Sequence, residues 1–160
     1  LTGLYNRRYL FEAGVSLLAS AVRSKFRVYI ALFDIDHFKK INDTYGHDAG
    51  DLVIRAVSYK LKEFFRRKTD IVARFGGEEF CVISPLENEK NIYTFLESVK
   101  ASIQKMALPY GRHKISVTVS IGATTIQTGN FEQMLKRADE MLYQAKKSGR
   151  NQVCIDMAEQ

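Results

Sequence analysis

Apolar side chains recur three and four residues apart in four long stretches of the chain, and this spacing predicts four amphipathic helices. The stretches cover about residues 6–23, 48–64, 88–106 and 130–148, and a shorter helical piece covers residues 38–42. Asp48 with Asp51, and Asn130 with Gln133, have the spacing of capping boxes and predict where the second and fourth long helices begin. Gly149 predicts the end of the last helix.

Five runs between these helices predict β-strands. Residues 28–35 are almost uniformly apolar, which is typical of a central strand buried on both faces. Residues 115–121 alternate apolar and polar side chains, which predicts one strand with a single buried face. The other strands are predicted at residues 71–75, 80–84 and 152–155. The first two of these flank Gly76-Gly77-Glu78-Glu79, which we interpret as a hairpin whose glycines supply positive φ angles.

The order of elements is helix, strand, helix, strand, hairpin turn, strand, helix, strand, helix, strand. It contains a βαββαβ core, so we expect an α+β fold of ferredoxin-like type, with helices covering a mainly antiparallel sheet. The 160 residues fit one domain, 1–160. The end of the first strand then lies beside the hairpin. The acids expected to converge there are Asp34, Asp36, Glu78 and Glu79.

The net charge of +6 at pH 7 favours anionic partners, such as nucleotide phosphates, nucleic acid or an acidic surface. Charge alone does not choose among them, because many basic residues fall on the polar faces of predicted helices. No stretch approaches the ~20 apolar residues of a membrane helix, and the first residues lack a signal-peptide pattern. We expect a cytoplasmic domain without a membrane segment. It would form the C-terminal part of a longer sensor or regulatory protein, and that protein could be a membrane-anchored receptor with this domain in the cytoplasm.

Converging carboxylates suit a hard divalent cation. Magnesium takes oxygen ligands, usually one or two carboxylates together with phosphate oxygens and water. Such an ion neutralises charge that develops during nucleotidyl transfer, so the pattern indicates nucleotide chemistry. The alternative is that acids at strand ends are simply solvated. Likewise, Lys146 and Arg150 beside Gly149 fit either phosphate binding or a favourable interaction with the helix dipole.

Five blocks of sequence carry a more specific signal. They are LTGLYNRR at residues 1–8, FDIDHFKKINDTYGHDAGD at 33–51, RFGGEEF at 74–80, VSIGA at 119–123 and ADEMLYQAKKSGRN at 138–151. In this order they resemble the GGDEF family of diguanylate cyclases, in its GGEEF form. The resemblance covers essentially the whole chain, and it implies a catalytic domain of that family.

The resemblance implies a role for each matched residue. Asp34, Glu78 and Glu79 would be the catalytic and metal-binding acids, with the backbone carbonyl of Ile35 as a further ligand. The ion would be Mg²⁺, with Mn²⁺ as an alternative, and up to two would occupy each half of the active site. Glu78 would assist deprotonation of the attacking hydroxyl in concert with metal.

The substrate residues follow from the same resemblance. Asn42 and Asp51 would read guanine, since a carboxylate that accepts from the guanine N1 and N2 donors, beside an amide, selects guanine over adenine. Asp51 is also the acid of the predicted capping box, and both roles could hold at once. The backbone amides of Phe38 and Lys39 would contact the triphosphate, and Lys146 and Arg150 would bind phosphate. Gly76 and Gly77 would leave room for the nucleotide.

Family members work as a two-fold pair. Each domain holds one GTP and presents its 3′ hydroxyl to the α-phosphate of the other, so that two transfers release two pyrophosphates and close the ring of cyclic di-GMP. The resemblance therefore implies GTP as substrate, a homodimer for catalysis and an upstream regulatory domain.

Arg67 and Asp70 stand where the family carries its RxxD site for product inhibition. A charged helix end is the alternative for so short a motif, but in this register we interpret it as an inhibitory site for cyclic di-GMP.

Three rival functions remain. One is an inactive receptor that binds cyclic di-GMP through Arg67 and Asp70, which the intact GGEEF block argues against. Another is a nucleic-acid binder, favoured only by the net charge and lacking a basic stripe interleaved with aromatic residues, so we expect no nucleic-acid partner. The third is synthesis of another cyclic dinucleotide, which Asp51 disfavours.

Overall fold

The long apolar run forms β1 (Arg27–Ile35), the middle strand of a five-stranded sheet. The computed structural model describes residues 2–86, 91–125 and 130–157. Successive side chains of a strand point to opposite faces, and in β1 both faces are buried. Phe33 lies in the core on one side of the sheet and Leu32 in the core on the other.

Six further strands and five helices occur in the described residues. The strands are β2 (Ile71–Arg74), β3 (Glu79–Leu86), β4 (Leu108–Tyr110), β5 (His113–Ile115), β6 (Val119–Thr124) and β7 (Val153–Asp156). The helices are α1 (Arg7–Ser24), α2 (Phe38–Tyr45), α3 (His47–Phe64), α4 (Ile92–Gln104) and α5 (Phe131–Lys147). Among these helices, none combines the length and the hydrophobicity needed to span a bilayer.

The large sheet has the strand order β2-β3-β1-β6-β7. Its neighbours are antiparallel except for the last pair, β6 and β7, which is parallel. Without β7, the order is that of a βαββαβ unit in which β3 and β6 flank the first strand. The predicted α+β fold with a mainly antiparallel sheet is confirmed.

Helices cover both faces of the sheet. The apolar sides of α3 and α4 pack on one face, where Val57 and Leu96 are fully buried. The apolar sides of α1 and α5 pack on the other face, where Leu10 and Ala138 are fully buried. Because neither face of β1 meets solvent, polar chemistry along this strand is confined to the end where it leaves the sheet.

Two predicted helix starts have different outcomes. The capping box of α5 is confirmed, since the Asn130 side chain accepts from the Gln133 N–H at 2.9 Å and the Gln133 side chain accepts from the Asn130 N–H at 3.3 Å. The capping box at Asp48 is wrong. Gly46, with φ of 95°, turns the chain directly from α2 into α3 and is itself the N-cap, two residues before the predicted one, so that Asp48 lies in the first turn. The predicted start of α4 at residue 88 lies outside the described residues.

The single strand predicted over residues 115–121 is wrong. The chain divides there into β5, which pairs with β4 in a separate hairpin, and β6, which joins the large sheet. The alternation is nevertheless real, because Ile115, Val117 and Val119 are all buried in the same core. Alternation shows which side chains are buried and does not show which strand the backbone pairs with. The β4–β5 hairpin was missed by the sequence analysis.

Helix α5 rests directly on the backbone of β6 at Gly122. A Cβ atom at this position would overlap the backbone nitrogen of Leu142 and the carbonyl oxygen of Ala138. Neither of these atoms belongs to a side chain that could rotate away. Gly122 is therefore required by the fold itself.

We expect Gly122→Ala to lower the free energy of unfolding by about 2–3 kcal/mol, because the added methyl group must push α5 off the sheet. Urea unfolding followed by circular dichroism measures this. Gly77→Ala is the matched control, since its Cβ would meet nothing within 4 Å, and it should change stability by less than about 0.5 kcal/mol. Equal stability of the two variants would contradict the close approach.

Candidate active site

Asp34 lies near the end of β1 and is 6% exposed. It shares the face of Leu32 and Ile30, two and four residues earlier, and that face is covered by α1 and α5. Lys146, in the last turn of α5, forms an ion pair with the Asp34 carboxylate. The alternation of β1 thus brings the predicted metal-binding acid against one of the predicted phosphate-binding cations.

Two carboxyl groups at this end of the sheet have perturbed acidities. Burial raises the pKa of Asp34, and the neighbouring Lys146 ammonium opposes that shift. Glu79 pairs with Asp34 across the β1–β3 ladder, and burial followed by repulsion from Asp34 raises the pKa of Glu79. Both carboxylates are therefore poorly solvated as anions, and a cation bound beside them would stabilise the charged forms.

A cleft of about 190 Å³ opens at the end of β1. Its lining residues are Asp34, Ile35, Asp36, His37, Phe38, Lys39, Glu78, Lys146 and Arg150. Seven of these were predicted as site residues, and the fold brings them together from β1, α2, the hairpin and the end of α5. A larger cavity of about 470 Å³ shares only Asp36 and His37 with this cleft and contains none of the predicted site residues.

The first turn of α2 offers backbone donors to this cleft. Its N-cap residue, His37, has φ of 55° and makes no capping hydrogen bond with its side chain. The first N–H groups of a helix have no partner within the helix, and they carry the positive end of its dipole. Phe38 and Lys39 are the first two residues of α2 and both line the cleft. The arrangement is suited to an anion such as phosphate.

The backbone carbonyl of Ile35 also lies at this end of β1. The Ile35 N–H donates to the Glu78 carbonyl at 3.2 Å, but within the described residues the return bond from the Glu78 N–H to the Ile35 carbonyl is not formed. The N–H and C=O of one strand residue face the same side, so this carbonyl is directed towards the hairpin. The described residues contain no group of three or more His, Cys, Asp or Glu side chains placed to hold a metal. A cation here would therefore combine two carboxylates with this backbone oxygen and with oxygens of the substrate, as Mg²⁺ commonly does.

Asp36 corrects the expectation that four acids share one site. It lines the cleft, but its Oδ1 accepts from Ser120 Oγ at 2.6 Å, and its Oδ2 accepts from Thr118 Oγ1 at 2.6 Å and from the Asn151 N–H at 3.0 Å. With three protein donors on a carboxylate that is 6% exposed, Asp36 is a structural residue. No sequence pattern indicated this role, since all three donors lie more than 80 positions away along the chain.

Gly76 and Gly77 connect β2 to β3, as predicted, but the reason given for them is wrong. Neither glycine has a positive φ, and a Cβ would make only ordinary contact at Gly76 and none at Gly77. Arg74 holds the turn instead: its Nε and Nη2 donate to the Gly77 carbonyl at 3.2 and 2.7 Å. Both glycines are exposed, so the fold itself does not require them. The open space above them is available to a ligand.

Arg7 adds a second support that the sequence analysis missed. Its guanidinium carbon lies 4.2 Å from the centre of the Phe75 ring, the residue immediately before the two glycines. Such a cation–π contact fixes the base of the hairpin against the start of α1. An arginine so far from the hairpin in sequence carries no periodic signal that could have identified it.

The two predicted guanine readers lie apart from the cleft lining, on consecutive helices. Asn42 is in α2, and its side-chain oxygen is buried without a hydrogen-bond partner among the described residues. This oxygen packs against Gly50, where a Cβ would overlap it. Asp51 is the next residue of α3 and is half-buried. Because the predicted capping box does not form, the Asp51 carboxylate is not committed to the helix end.

The predicted inhibitory residues form a compact network. Arg67 pairs with Asp70, whose oxygen lies 3.3 Å from Arg67 Nη2, and the same Nη2 donates to Ser84 Oγ at 2.8 Å. Ser84 Oγ in turn donates to Asp70 Oδ1 at 2.5 Å. The Asp70 side chain is 2% exposed, whereas that of Arg67 is 41% exposed. Asp70 therefore holds Arg67 at the surface, where its guanidinium remains accessible to an anion.

Known proteins resemble this chain over nearly its full length. The sequence is 43% identical to the response regulator PleD of Caulobacter vibrioides over 96% of this chain and 34% of that protein. It is 40% identical to the diguanylate cyclase VdcA of Vibrio cholerae over 96% of this chain and 45% of that protein. The chain thus spans less than half the length of these curated relatives.

Two further comparisons agree. The coiled coil and GGDEF domain of DgcB from Caulobacter crescentus, solved in complex with c-di-GMP, superposes with a TM-score of 0.90 at 31% identity, covering 97% of this chain and 83% of that one. The family model "Diguanylate cyclase, GGDEF domain" matches residues 1–152. A match over nearly the whole chain, on a fold and a cleft that carry the GGEEF hairpin, shows that this chain belongs to the GGDEF domain family of diguanylate cyclases.

Proposed function

We propose that this chain is the catalytic domain of a diguanylate cyclase, which condenses two GTP into cyclic di-GMP and two pyrophosphates. The observation that carries the proposal is the cleft at the end of β1. It is lined by the buried Asp34, by Ile35 and Glu78, by the first residues of α2 and by two cations, Lys146 and Arg150. Relatives such as VdcA, named a diguanylate cyclase, support the same activity.

The triphosphate would bind along the first turn of α2. Phe38 and Lys39 lie in the first turn of α2, where backbone N–H groups have no partner within the helix, and Lys146 and Arg150 supply positive charge to the same cleft. Guanine would bind to Asn42 and Asp51, because within the described part of the chain the buried Asn42 oxygen has no hydrogen-bond partner and Asp51 does not cap α3. A site that leaves polar groups unpaired without its ligand discriminates strongly against bases that cannot pair with them.

The donor set suits a divalent metal. Asp34, Glu78 and the Ile35 carbonyl would hold Mg²⁺, or Mn²⁺ as the alternative, with up to two ions in each half site and with Glu79 close by in the ladder. Bound there, the metal would neutralise negative charge on the phosphates and favour ionisation of the attacking hydroxyl.

The residues of the chain then divide the remaining work. Glu78 would accept the proton of the 3′ hydroxyl, whose oxygen attacks the α-phosphorus while the bond to pyrophosphate breaks. Lys146 and Arg150 would stabilise the departing phosphates. At about 190 Å³ the cleft is too small for two nucleotides, so the second GTP would come from a second copy of the domain, and we propose that a homodimer is the active form.

We propose two kinds of regulation, inhibition by the product and control by an upstream domain. Cyclic di-GMP would inhibit by binding Arg67 and Asp70, where Asp70 already orients the guanidinium. An upstream regulatory domain is supported by PleD, which is named a response regulator, and by the coiled coil of DgcB. A cytoplasmic location follows from the proposed substrate, GTP.

Glu78→Gln should reduce product formation by about 10²–10⁴-fold, because the amide cannot accept the hydroxyl proton. The measurement is chromatography of cyclic di-GMP formed from GTP and Mg²⁺, with the domain fused to a dimerising coiled coil so that association does not limit turnover. Glu63→Gln, an exposed acid on α3, is the control and should behave as wild type. Unchanged turnover in Glu78→Gln would remove the assigned role. A wild-type fusion that binds cyclic di-GMP tightly but forms none would indicate a receptor.

Gly77→Ala should weaken binding of 3′-deoxy-GTP by about tenfold or more, a loss similar in size to that of a charged hydrogen bond. The substitution should leave the stability of the domain unchanged. The fold does not need this glycine, so the loss would come from the methyl group occupying the space of the nucleotide. Isothermal titration calorimetry with Mg²⁺ measures the affinity, and 3′-deoxy-GTP lacks the attacking hydroxyl and does not turn over. An affinity equal to that of wild type would place the nucleotide away from the hairpin.

Arg67→Ala should raise the cyclic di-GMP concentration that halves activity by about tenfold or more, because it removes a charge-assisted contact to phosphate. Arg66→Ala, which changes the exposed neighbour, should keep wild-type inhibition. Inhibition curves are measured on the dimerised fusions after urea unfolding has verified that each variant is folded. Identical curves for all three proteins would rule out the inhibitory site.

A further inference from the structure

Arg150 and Asn151 form a backbone stretch of unfavourable conformation beside the cleft. Their φ angles are 65° and 48°, in the left-handed region that residues with a side chain rarely adopt in succession. Such a stretch persists only where surrounding contacts hold it. The Arg150 N–H donates to the Ala145 carbonyl at 3.0 Å, and the Asn151 carbonyl accepts from Lys100 Nζ at 3.3 Å. The Asn151 N–H donates to the carboxylate of Asp36 at 3.0 Å.

The direction of Arg150 depends on this backbone rather than on a partner of its side chain. Arg150 lines the cleft together with Asp34, and its positive charge acts to lower the pKa of that carboxyl, yet among the described residues its side chain makes no hydrogen bond or ion pair. Lys146, the other cation of the cleft, is instead held by its ion pair with Asp34. For an exposed arginine without such a contact, the φ and ψ angles set where the side chain leaves the main chain, and therefore which region its guanidinium can reach.

Asp36 is rigidly placed to control that backbone. Its oxygens accept from Thr118, just before β6, and from Ser120, within β6, and its own N–H donates to the Thr118 carbonyl at 2.9 Å. The carboxylate therefore joins the end of β1, the start of β6 and the loop after α5 at one point. Of these three, the loop carries Arg150, a cation that lines the proposed phosphate site.

We infer that Asp36 is a positioning residue: by accepting from the Asn151 N–H, it fixes the left-handed stretch that directs Arg150 at the triphosphate. The inference rests on the proposed function, in which Arg150 binds phosphate. It assigns to the second acid of the DID segment a task distinct from that of Asp34, and it explains why a carboxylate beside a metal site is fully engaged with protein donors.

The test measures affinities for 3′-deoxy-GTP with Mg²⁺ and for guanosine, which has no phosphate. Arg150→Ala should weaken 3′-deoxy-GTP binding by about tenfold or more, as expected for a charge-assisted contact. Asp36→Ala should weaken it comparably, and the double variant should be no weaker than Arg150→Ala alone, because both changes remove the same contact. Guanosine affinity should stay unchanged in all three, whereas a general structural defect would lower it as well.

Asp36→Asn is the matched control. It removes the same negative charge as Asp36→Ala but keeps an oxygen for Thr118 and Asn151, and its amide can donate to the Ser120 hydroxyl. We expect near wild-type affinity, so a loss confined to Asp36→Ala reports the hydrogen bond and not the charge. If urea unfolding shows that Asp36→Ala is not folded, Asp36→Ser takes its place, since its short side chain cannot reach Asn151.

The outcomes separate the inference from the proposal on which it rests. Wild-type binding by Arg150→Ala would show that Arg150 does not bind phosphate. The proposed phosphate role of Arg150 and the positioning role of Asp36 would then both be wrong. Weak binding by Arg150→Ala with normal binding by Asp36→Ala, or with fully additive losses in the double variant, would overturn the positioning role alone. Equal losses in Asp36→Asn and Asp36→Ala would also overturn it, in favour of a charge effect.

Discussion

Burial of β1 on both faces is the constraint on which the rest of the structure depends. Helices α3 and α4 exclude water from one side of this strand, and α1 and α5 exclude it from the other. Charged groups are expensive in such a layer, so they collect where the strand ends. Asp34 stands at that boundary and is still nearly buried, which is why its carboxylate needs a cation at hand. Lys146 meets that need within the chain.

Most of the fold could be predicted from the sequence because its elements report burial directly. The unbroken apolar run of β1 and the helical spacing in α1, α3 and α5 arise from which side chains face the core, and these elements lie where the pattern predicts them. Pairing partners are not encoded in the same way. Residues 115–121 kept their alternation while the backbone changed sheets between β5 and β6, since alternation reflects only the buried side.

The candidate site was predictable to the extent that its residues sit in contiguous motifs. Asp34, Lys39 and Glu78 were identified from such motifs and do line one cleft. The sequence could not separate Asp34 from Asp36, two acids in the same short segment, because their difference lies in donors contributed by distant parts of the chain. It also misjudged the GGEEF glycines, since a turn that arginine side chains hold in place needs no unusual φ.

The close approach at Gly122 has a consequence for the precision of the site. Side-chain packing can adjust through alternative rotamers, but α5 meets β6 through main-chain atoms, which have no such freedom. The separation of helix and sheet is therefore set by van der Waals contact between main-chain atoms, and Lys146 follows one turn further along α5. Apolar side chains in either core layer can therefore change shape without moving the backbone that carries the Lys146 ammonium group. The position of the Lys146 charge is therefore little affected by much of the sequence variation that a hydrophobic core tolerates.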